Sequence, residues 1–328
     1  MIIDTHAHFT PQPMLKALEA AAGKFKNVEL LAKDNQFRLA FAGGAPTRPV
    51  APKLRETAER LKWMDDKGLD AQVVGGWLDS FGYELPADEG AAWSRFMNEH
   101  LMSGTLAEKR LAPLATVPLQ SGKLAAQVLE EAMKAGFSGA MIGTQPKGTS
   151  GVLDDPDLDP FWEAASSLKA VIYLHPMFGC GDTRLDDFDM INAVGRGVDT
   201  TTAIARMLFS GHFLKYPGMS FVLSHGGGAL PYLIGRLARN RDIHPGEYAD
   251  PVAGFGKLYF DSVLFDPRTL RYLSEVVGAE KIILGSDFPF PIGDPDPAKV
   301  VKDAKLGEGA TKLILGDTAQ KLFKLPAR

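Results

Sequence analysis

Short apolar runs recur along the whole chain, and each is of a length suited to a β-strand. Eight of them are rich in β-branched residues: Ile2–Thr5, Ala71–Val74, Leu111–Val117, Ser138–Ile142, Ala170–Leu174, Ser220–Ser224, Lys257–Asp261 and Lys281–Gly285. They are almost continuously apolar, which is typical of parallel strands buried on both faces. The pattern therefore predicts a set of parallel strands spread over the full chain.

Amphipathic stretches long enough for helices lie between most of these strands. They are Ala87–Lys109, Lys123–Ala135, Pro160–Leu168, Thr200–Leu214, Leu230–Arg239 and Pro267–Val277. Alternating strands and helices indicate a parallel α/β fold, and this number of strands favours closure into a (β/α)8 TIM barrel. An open doubly wound sheet is the alternative, but no Gly-x-Gly-x-x-Gly follows the first strand. We therefore predict a single barrel domain over residues 1–328.

A long segment, about residues 9 to 70, separates the first two predicted strands. Its middle, Phe41–Pro52, is rich in glycine and proline and predicts a loop or small subdomain. Because the loops that follow barrel strands build the C-terminal mouth, we expect residues 9–60 to form an insertion or lid over that mouth. A second long segment, from Gly179 to Asp199, follows the fifth strand on the same face.

Composition narrows the class of protein. Of the 328 residues, 45% are hydrophobic and 23% are charged, and the net charge of −4 does not recommend nucleic acid or an anionic membrane as a partner. No apolar run approaches the roughly 18 residues of a membrane helix, and no signal-peptide pattern is visible. The single cysteine, Cys180, excludes an intrachain disulfide and fits a reducing compartment. We expect a soluble, cytoplasmic enzyme.

Histidine and aspartate residues follow the predicted strands at the point where each strand ends. His6 and His8 are two positions apart in the extended run that ends the first strand, so their side chains point to the same face. His175, His225 and Asp287 each end another apolar run, and in a barrel such ends meet at one mouth. Imidazoles with one carboxylate suit zinc, with iron, manganese or cobalt as alternatives. The remaining histidine could serve as an acid or base.

Each of these motifs also has an ordinary structural interpretation. The His6–His8 pair could lie on the surface, and His175 could be a hydrogen-bonded histidine at a strand end. His225 precedes three glycines and could belong to a flexible turn, while Asp287 could begin an Asx-turn. Their joint occurrence at the ends of separate strands favours a metal site.

The order of these motifs resembles that of the amidohydrolase superfamily. The motifs are His6-x-His8, His175-Pro, His225-Gly-Gly-Gly and Gly285-Ser-Asp-Phe-Pro-Phe-Pro. More narrowly, the chain is similar to the branch that contains 2-amino-3-carboxymuconate 6-semialdehyde decarboxylase, over nearly its full length. The resemblance implies a barrel that binds one divalent metal, usually zinc, without an organic cofactor. Many members remove a carboxylate without redox chemistry.

By this resemblance, His6, His8, His175 and Asp287 are the metal ligands, and His225 is the catalytic acid or base beside the metal, with Asp287 also catalytic. Binuclear barrels of this type commonly carry a carboxylated lysine at the end of the fourth strand. Here that end has no lysine before Lys147, which favours a single metal.

Two arginines are the predicted contacts of a small carboxylate substrate. A guanidinium binds a carboxylate bidentately. Arg48 lies in the segment expected to cover the mouth. Arg236 follows His225 on the next helix, and by the resemblance it reaches the neighbouring subunit's site, which implies a homodimer.

The chain departs from the resemblance after His175-Pro176, where similar enzymes carry Trp-Asp and this chain has Met177-Phe178. These positions are expected to line the substrate side of the mouth, so the natural acid is expected to differ.

The predicted function is a metal-dependent, non-oxidative decarboxylase of a small unsaturated or aromatic carboxylic acid. A lactone or amide hydrolase and a hydratase of an unsaturated diacid use the same ligands and stay open. A catalytically inactive binding module is disfavoured because every expected ligand is present.

Overall fold

The computed structural model describes residues 1–21, 23–148, 150–177 and 181–326. Its strands are β1 (Ile3–His8), β2 (Val28–Lys33), β3 (Gln36–Phe41), β4 (Ala71–Gly75), β5 (Leu111–Pro113), β6 (Gly139–Gly143), β7 (Val171–His175), β8 (Ser220–Leu223), β9 (Leu258–Asp261) and β10 (Ile282–Ile283). Every predicted strand is present, with ends that differ by a few residues. The strands β2 and β3 were not predicted.

The helices surround these strands. They are α1 (Gln12–Ala20), α2 (Pro52–Arg55), α3 (Thr57–Asp66), α4 (Ala87–Leu106), α5 (Gly122–Ala135), α6 (Asp159–Ser167), α7 (Arg196–Phe209), α8 (His212–Lys215), α9 (Leu230–Asp242), α10 (Pro251–Phe255), α11 (Pro267–Val277), α12 (Pro297–Asp303), α13 (Glu308–Lys312) and α14 (Thr318–Leu322). The prediction of one helix over Thr200–Leu214 is wrong, because α7 ends at Phe209 and Gly211, at φ +78°, separates it from α8. A π-helical turn, Ile191–Gly195, leads into α7.

The strands close into a barrel through two short joins. Parallel sheets of order β1-β4-β5 and β10-β9-β8-β7-β6 make up the wall. Isolated parallel bridges join Ala115 to Ala140 and Ala7 to Phe288. At the second join, the His8 amide donates to the Phe288 carbonyl at 2.8 Å. The wall is therefore continuous, and the predicted (β/α)8 barrel is confirmed.

Helix α5 shows how the outer layer is attached to the barrel. Ser121 caps its first turn by accepting from the Leu124 amide, and Gly136 ends it at φ +103°, where glycine is favoured. Its apolar residues recur at helical spacing and are buried against the strands: Ala125, Val128, Leu129 and Ala132. A buried leucine such as Leu129 contributes about 2 kcal/mol.

The segment between β1 and β4 has its own secondary structure. Strands β2 and β3 form an antiparallel hairpin, while the glycine- and proline-rich residues 42–51 form neither helix nor strand. Leu15, Phe37, Val50 and Leu54 form a small separate core with Trp77, which follows β4 by two residues. This packing holds the segment at the carboxyl end of the barrel strands.

None of the helices in the described ranges combines the length and apolarity needed to cross a membrane. The cytoplasmic location stays a prediction.

Candidate metal centre

The five predicted ligand and acid–base residues meet at the carboxyl end of the barrel. One donor atom from each of His6, His175, His225 and Asp287 lies within 4.8 Å of the other three. The Nε2 atom of His8 lies 3.2 Å from Asp287 Oδ1. His225 is partly exposed, whereas the other four residues are buried. The strand-end pattern thus brings together residues that lie up to 281 positions apart, from His6 to Asp287.

Three of the imidazoles have the protonation pattern of metal ligands. Each Nδ1 atom is directed at an oxygen acceptor: His6 at Asp261 Oδ2 (2.7 Å), His8 at the Gly76 carbonyl (3.1 Å) and His175 at the Pro176 carbonyl (2.7 Å). Because these oxygens only accept, Nδ1 carries the proton and Nε2 keeps its lone pair. The Nε2 atoms of His6 and His175 are buried and have no hydrogen-bond partner among the described residues. Buried imidazole nitrogens are normally paired, so these two fit a divalent metal.

The electrostatics of the cluster suit a cation. Asp287 Oδ1 lies 3.4 Å from His6 Nε2 and 3.8 Å from His175 Nε2, and Oδ2 lies 3.5 Å from His225 Nε2. Burial alone would raise the pKa of Asp287, but the surrounding imidazoles, with His6 the strongest, hold it well below its usual value. Burial lowers the pKa of His8 and lowers that of His175 further. An ionised carboxylate that faces the Nε2 atoms of several imidazoles is a suitable ligand set for a divalent metal.

Asp261, at the end of β9, is a functional residue that the sequence analysis missed. It is fully buried and accepts from His6 Nδ1 at 2.7 Å, from Tyr173 Oη at 3.0 Å and from the Gly226 amide at 3.0 Å. Burial acts to raise the pKa of Asp261, but the hydrogen bond from His6 keeps it below the ordinary value. Asp261 therefore fixes the orientation and the tautomer of a proposed ligand. The signal was available, since Asp261 also ends a predicted strand.

The three glycines after His225 make a defined turn. His225 has a φ of +52°, and Gly226, Gly227 and Gly228 have φ values of +60°, +77° and +62°. A Cβ atom at Gly228 would lie 2.3 Å from the Gly197 carbonyl oxygen, so a side chain does not fit there. The turn directs the Gly226 amide to Asp261 and the His225 ring to the cluster.

The cluster opens into a cavity with two lobes. The first has a volume of about 390 Å³ and is lined by Arg48, Trp77, Asp79, His175, Asp287 and Phe290, among others. Arg48 Nε and Nη2 both donate to Asp79 Oδ2, at 3.2 and 3.1 Å. The Arg48 guanidinium carbon lies 5.8 Å from the ring centres of both Trp77 and Phe290. Arg48 therefore lies at the mouth of the site, with 60% of its side chain exposed.

The second lobe has a volume of about 420 Å³ and includes His225, Val198, Leu264 and Phe265 in its lining. Both lobes share Asn192, Arg196, Asp287 and Ile292, so these residues lie between them. The sequence analysis missed Arg196. The only available signal was its position in the long segment expected at the mouth.

Two other predicted positions lie away from the cluster in this subunit. Arg236 is exposed on α9, lines neither lobe and makes no hydrogen bond or ion pair with any described residue. Met177 is buried and packs against Gly143, so the expectation that its side chain lines the cavity is wrong. Phe178 and Cys180 lie outside the described residues.

Comparisons with known proteins identify the family of the chain. Residues 3–325 match the family model described as amidohydrolase, and the chain belongs to this family. It is 28% identical to a 2-amino-3-carboxymuconate-6-semialdehyde decarboxylase of Dictyostelium discoideum, over 81% of this chain and 76% of the relative. The resemblance predicted from the sequence is thereby confirmed.

Solved structures share the fold over almost the whole chain. A 5-carboxyvanillate decarboxylase from Sphingomonas paucimobilis superposes with a TM-score of 0.82 at 25% identity, covering 99% of each chain. A dihydroxybenzoic acid decarboxylase from Polaromonas, with bound manganese and 2-nitroresorcinol, gives 0.80 at 23% identity, covering 100% of this chain and 98% of that chain. These likenesses support the barrel.

Proposed function

We propose that this protein is a metal-dependent, non-oxidative decarboxylase of a small unsaturated or aromatic carboxylic acid. The observation that carries the proposal is the pair of buried, unpartnered Nε2 atoms of His6 and His175 facing Asp287 at the base of an open cavity. His6, His8, His175 and Asp287 would hold one divalent metal. Nitrogen and oxygen donors in this proportion favour zinc, with manganese as the second candidate because a solved decarboxylase of this fold contains it.

The first lobe suits a flat, anionic substrate. Trp77 and Phe290 provide aromatic walls, and the Arg48 guanidinium lies 5.8 Å from the centre of each ring. We propose that Arg48 attracts the substrate and holds it at the mouth, where the guanidinium contributes positive charge. Residues 9–60, which carry Arg48 and pack on Trp77, would act as the lid.

The chemistry requires one bond to break and one proton to arrive. A divalent metal, when bound, would supply positive charge to the oxygen atoms of the substrate. The carboxyl carbon leaves as carbon dioxide, and its bonding electron pair passes into the conjugated system of the substrate. His225, at the edge of the cluster and facing the second lobe, then donates a proton to the carbon that lost the carboxylate.

We propose that the protein is a homodimer in which Arg236 reaches the neighbouring site. Tyr232, Arg236 and Arg239 are exposed and lie on one stripe of α9 at helical spacing, and the exposed Ile243 directly follows the helix. Tyr232 is 76% exposed and Ile243 is 53% exposed, which is unusual for large apolar residues and suits a contact with a second copy.

Hydrolysis and hydration are the competing reactions, since they could use the same residues. The test is the amount of carbon dioxide released per molecule of substrate consumed by metal-loaded protein. The panel holds muconate-type, hydroxybenzoic and aminobenzoic acids, with simple lactones as controls. One carbon dioxide per turnover, lost on chelation and restored by zinc or manganese, is expected. Substrate loss without carbon dioxide would replace the proposal by hydrolysis or hydration.

A further inference from the structure

Arg196, between the two lobes, has one edge of its guanidinium fixed by the protein. Its Nη1 atom donates to the Pro176 carbonyl at 2.8 Å and to the Met177 carbonyl at 2.7 Å. These two bonds use both hydrogens of Nη1. Because Pro176 and Met177 directly follow the proposed ligand His175, the guanidinium is held in a fixed orientation beside the metal centre.

The other edge of Arg196 is available for binding. Within the part of the chain that the structure describes, Nε and Nη2 of Arg196 make no hydrogen bond and no ion pair. The Nε–Nη2 edge is one that can bind a carboxylate through two parallel hydrogen bonds. In Arg48, the same two atoms already bind Asp79, and in Arg206 they bind Asp154. Arg196 therefore offers a pre-oriented carboxylate-binding edge to the cavity.

Asp189 lines the first lobe with Arg196 but is exposed and forms no ion pair with it, and the other nearby carboxylates have partners of their own. Asp79 pairs with Arg48, Asp287 lies within the histidine cluster, and Asp199 accepts from the side chains of Thr144 and Gln145. Burial lowers the pKa of Arg196 against the opposing effect of Asp79 and Asp287. A partly buried guanidinium without a paired carboxylate is costly, and an anionic ligand would offset this cost.

From these contacts we propose that Arg196 binds a second carboxylate of the substrate, so that the natural substrate is a dicarboxylic acid. This inference rests on the proposed function only for the position of the reacting carboxylate, which lies at the metal. The second carboxylate then lies between the lobes, on the Nε–Nη2 edge of Arg196. The two lobes, of about 390 and 420 Å³, have room for a small diacid.

The test measures binding without turnover. Benzoate and the three benzene dicarboxylates (phthalate, isophthalate and terephthalate) are titrated into metal-loaded protein by isothermal titration calorimetry. The three isomers vary the separation of the carboxylates. At least one dicarboxylate should bind wild-type protein about tenfold or more tightly than benzoate, as expected for a charge-assisted bidentate contact.

Variants then assign this preference to Arg196. Arg196→Met should bind the dicarboxylates and benzoate with about equal affinity, and Arg196→Lys should retain only part of the preference because an ammonium lacks the planar fork. Arg206→Met, on the same helix, is the matched control and should keep the full preference. The metal content of each variant is measured, since Pro176 accepts hydrogen bonds from both Arg196 and His175.

Two results would overturn the proposal. One is equal affinity of the wild-type protein for benzoate and all three dicarboxylates. The other is a preference that survives in both Arg196 variants. A dicarboxylate preference that depends on Arg196, together with no carbon dioxide release from any acid, would instead reject decarboxylation and leave the binding role of Arg196 standing.

Discussion

At the scale of single residues, the metal centre depends on which nitrogen of each histidine carries the proton. Asp261 sets this for His6, because a carboxylate accepts the Nδ1 proton and leaves Nε2 as the donor to a metal. Main-chain carbonyls do the same for His8 and His175. The side chains that would touch a metal are therefore only part of the site.

Asp261→Asn should weaken metal binding by about 10- to 100-fold with little change in fold. The amide can still accept from the Gly226 amide, but a nitrogen placed opposite His6 Nδ1 favours the wrong tautomer. The measurement is a competitive metal titration against a chromogenic chelator. Tyr173→Phe is the control, since it removes one hydrogen bond to Asp261 and keeps the His6 contact. Unchanged metal affinity in Asp261→Asn would reject this role.

His225→Asn should retain its metal and lose about 10²- to 10⁴-fold in kcat, the usual contribution of a positioned acid or base. Asparagine is the suitable replacement because His225 has a φ of +52°, a conformation that asparagine adopts readily. Steady-state kinetics and metal analysis are compared with His244→Asn, which changes a histidine outside the cluster. Near-normal turnover in His225→Asn would remove it as the proton donor.

At the scale of secondary-structure elements, α7 and the π-helical turn before it connect the barrel to the cavity. Arg196 is the first residue of α7, and Asp199 lies three residues later in the same helix. The Asp199 carboxylate accepts a hydrogen bond from the side chain of Thr144, the residue that directly follows β6. Local widening of a helix into a π-turn is frequent at functional sites because it changes the direction of the following side chains. This junction therefore positions the Arg196 edge between the lobes.

Asp199 should make stability depend on pH. Burial raises the pKa of Asp199 above its ordinary value of 3.8, although Thr144 and Gln145 donate to it. The unfolded chain therefore loses this proton first, and the folded state becomes less stable as pH rises from 3.8 through the folded pKa. Asp199→Asn lacks this ionisation, so wild-type protein should lose stability relative to it over that interval.

Urea unfolding of both proteins at a series of pH values, at constant metal concentration, measures this difference. Every other titratable group is common to the two proteins, so its effect cancels in the difference between their free energies of unfolding. Asp250→Asn, which changes the partly buried N-cap residue of α10, is the control and should not show the same loss. A stability difference that is constant with pH would contradict the prediction.

At the scale of the whole molecule, barrel closure assembles the site. The joins between β5 and β6 and between β1 and the segment after β10 bring His6 and Asp287 together from opposite ends of the chain. The backbone supports the contact directly, as the Asp287 amide donates to the His6 carbonyl at 2.8 Å. The proposed dimer would extend the site beyond one subunit.

Mixing Arg48→Ala and Arg236→Ala proteins, each of low activity, should restore about a quarter of wild-type activity if Arg236 acts in the neighbouring site. Half of randomly mixed dimers contain both variants, and one of their two sites then has both arginines. Activity is measured after the mixed subunits have exchanged, and Arg239→Ala replaces Arg236→Ala as the control. No recovery, with exchange demonstrated by mass spectrometry of tagged subunits, would reject the shared site.

Local patterns made much of the fold predictable. The apolar runs and the amphipathic stretches have the periodicities of the strands and helices that they form. All the barrel strands were therefore predicted. The sequence analysis did not predict the β2–β3 hairpin, although the pair Asp34-Asn35 is of a type that favours tight turns. In the structure these two residues have φ values of +50° and +60°, the geometry of a tight hairpin. The glycine- and proline-rich stretch that follows it dominated the interpretation of that segment.

The sequence by itself determined the order of strands and helices and the set of residues at strand ends, because periodicity and strand-end position are local properties. Only the tertiary structure decided the rest. It showed that the Nδ1 atoms of His6, His8 and His175 face Asp261 and main-chain carbonyls. It also showed that Asp79 occupies the carboxylate-binding edge of Arg48, while that edge of Arg196 has no partner among the described residues. Hydrogen-bond partners depend on which groups the closed barrel brings together, and no local pattern records this.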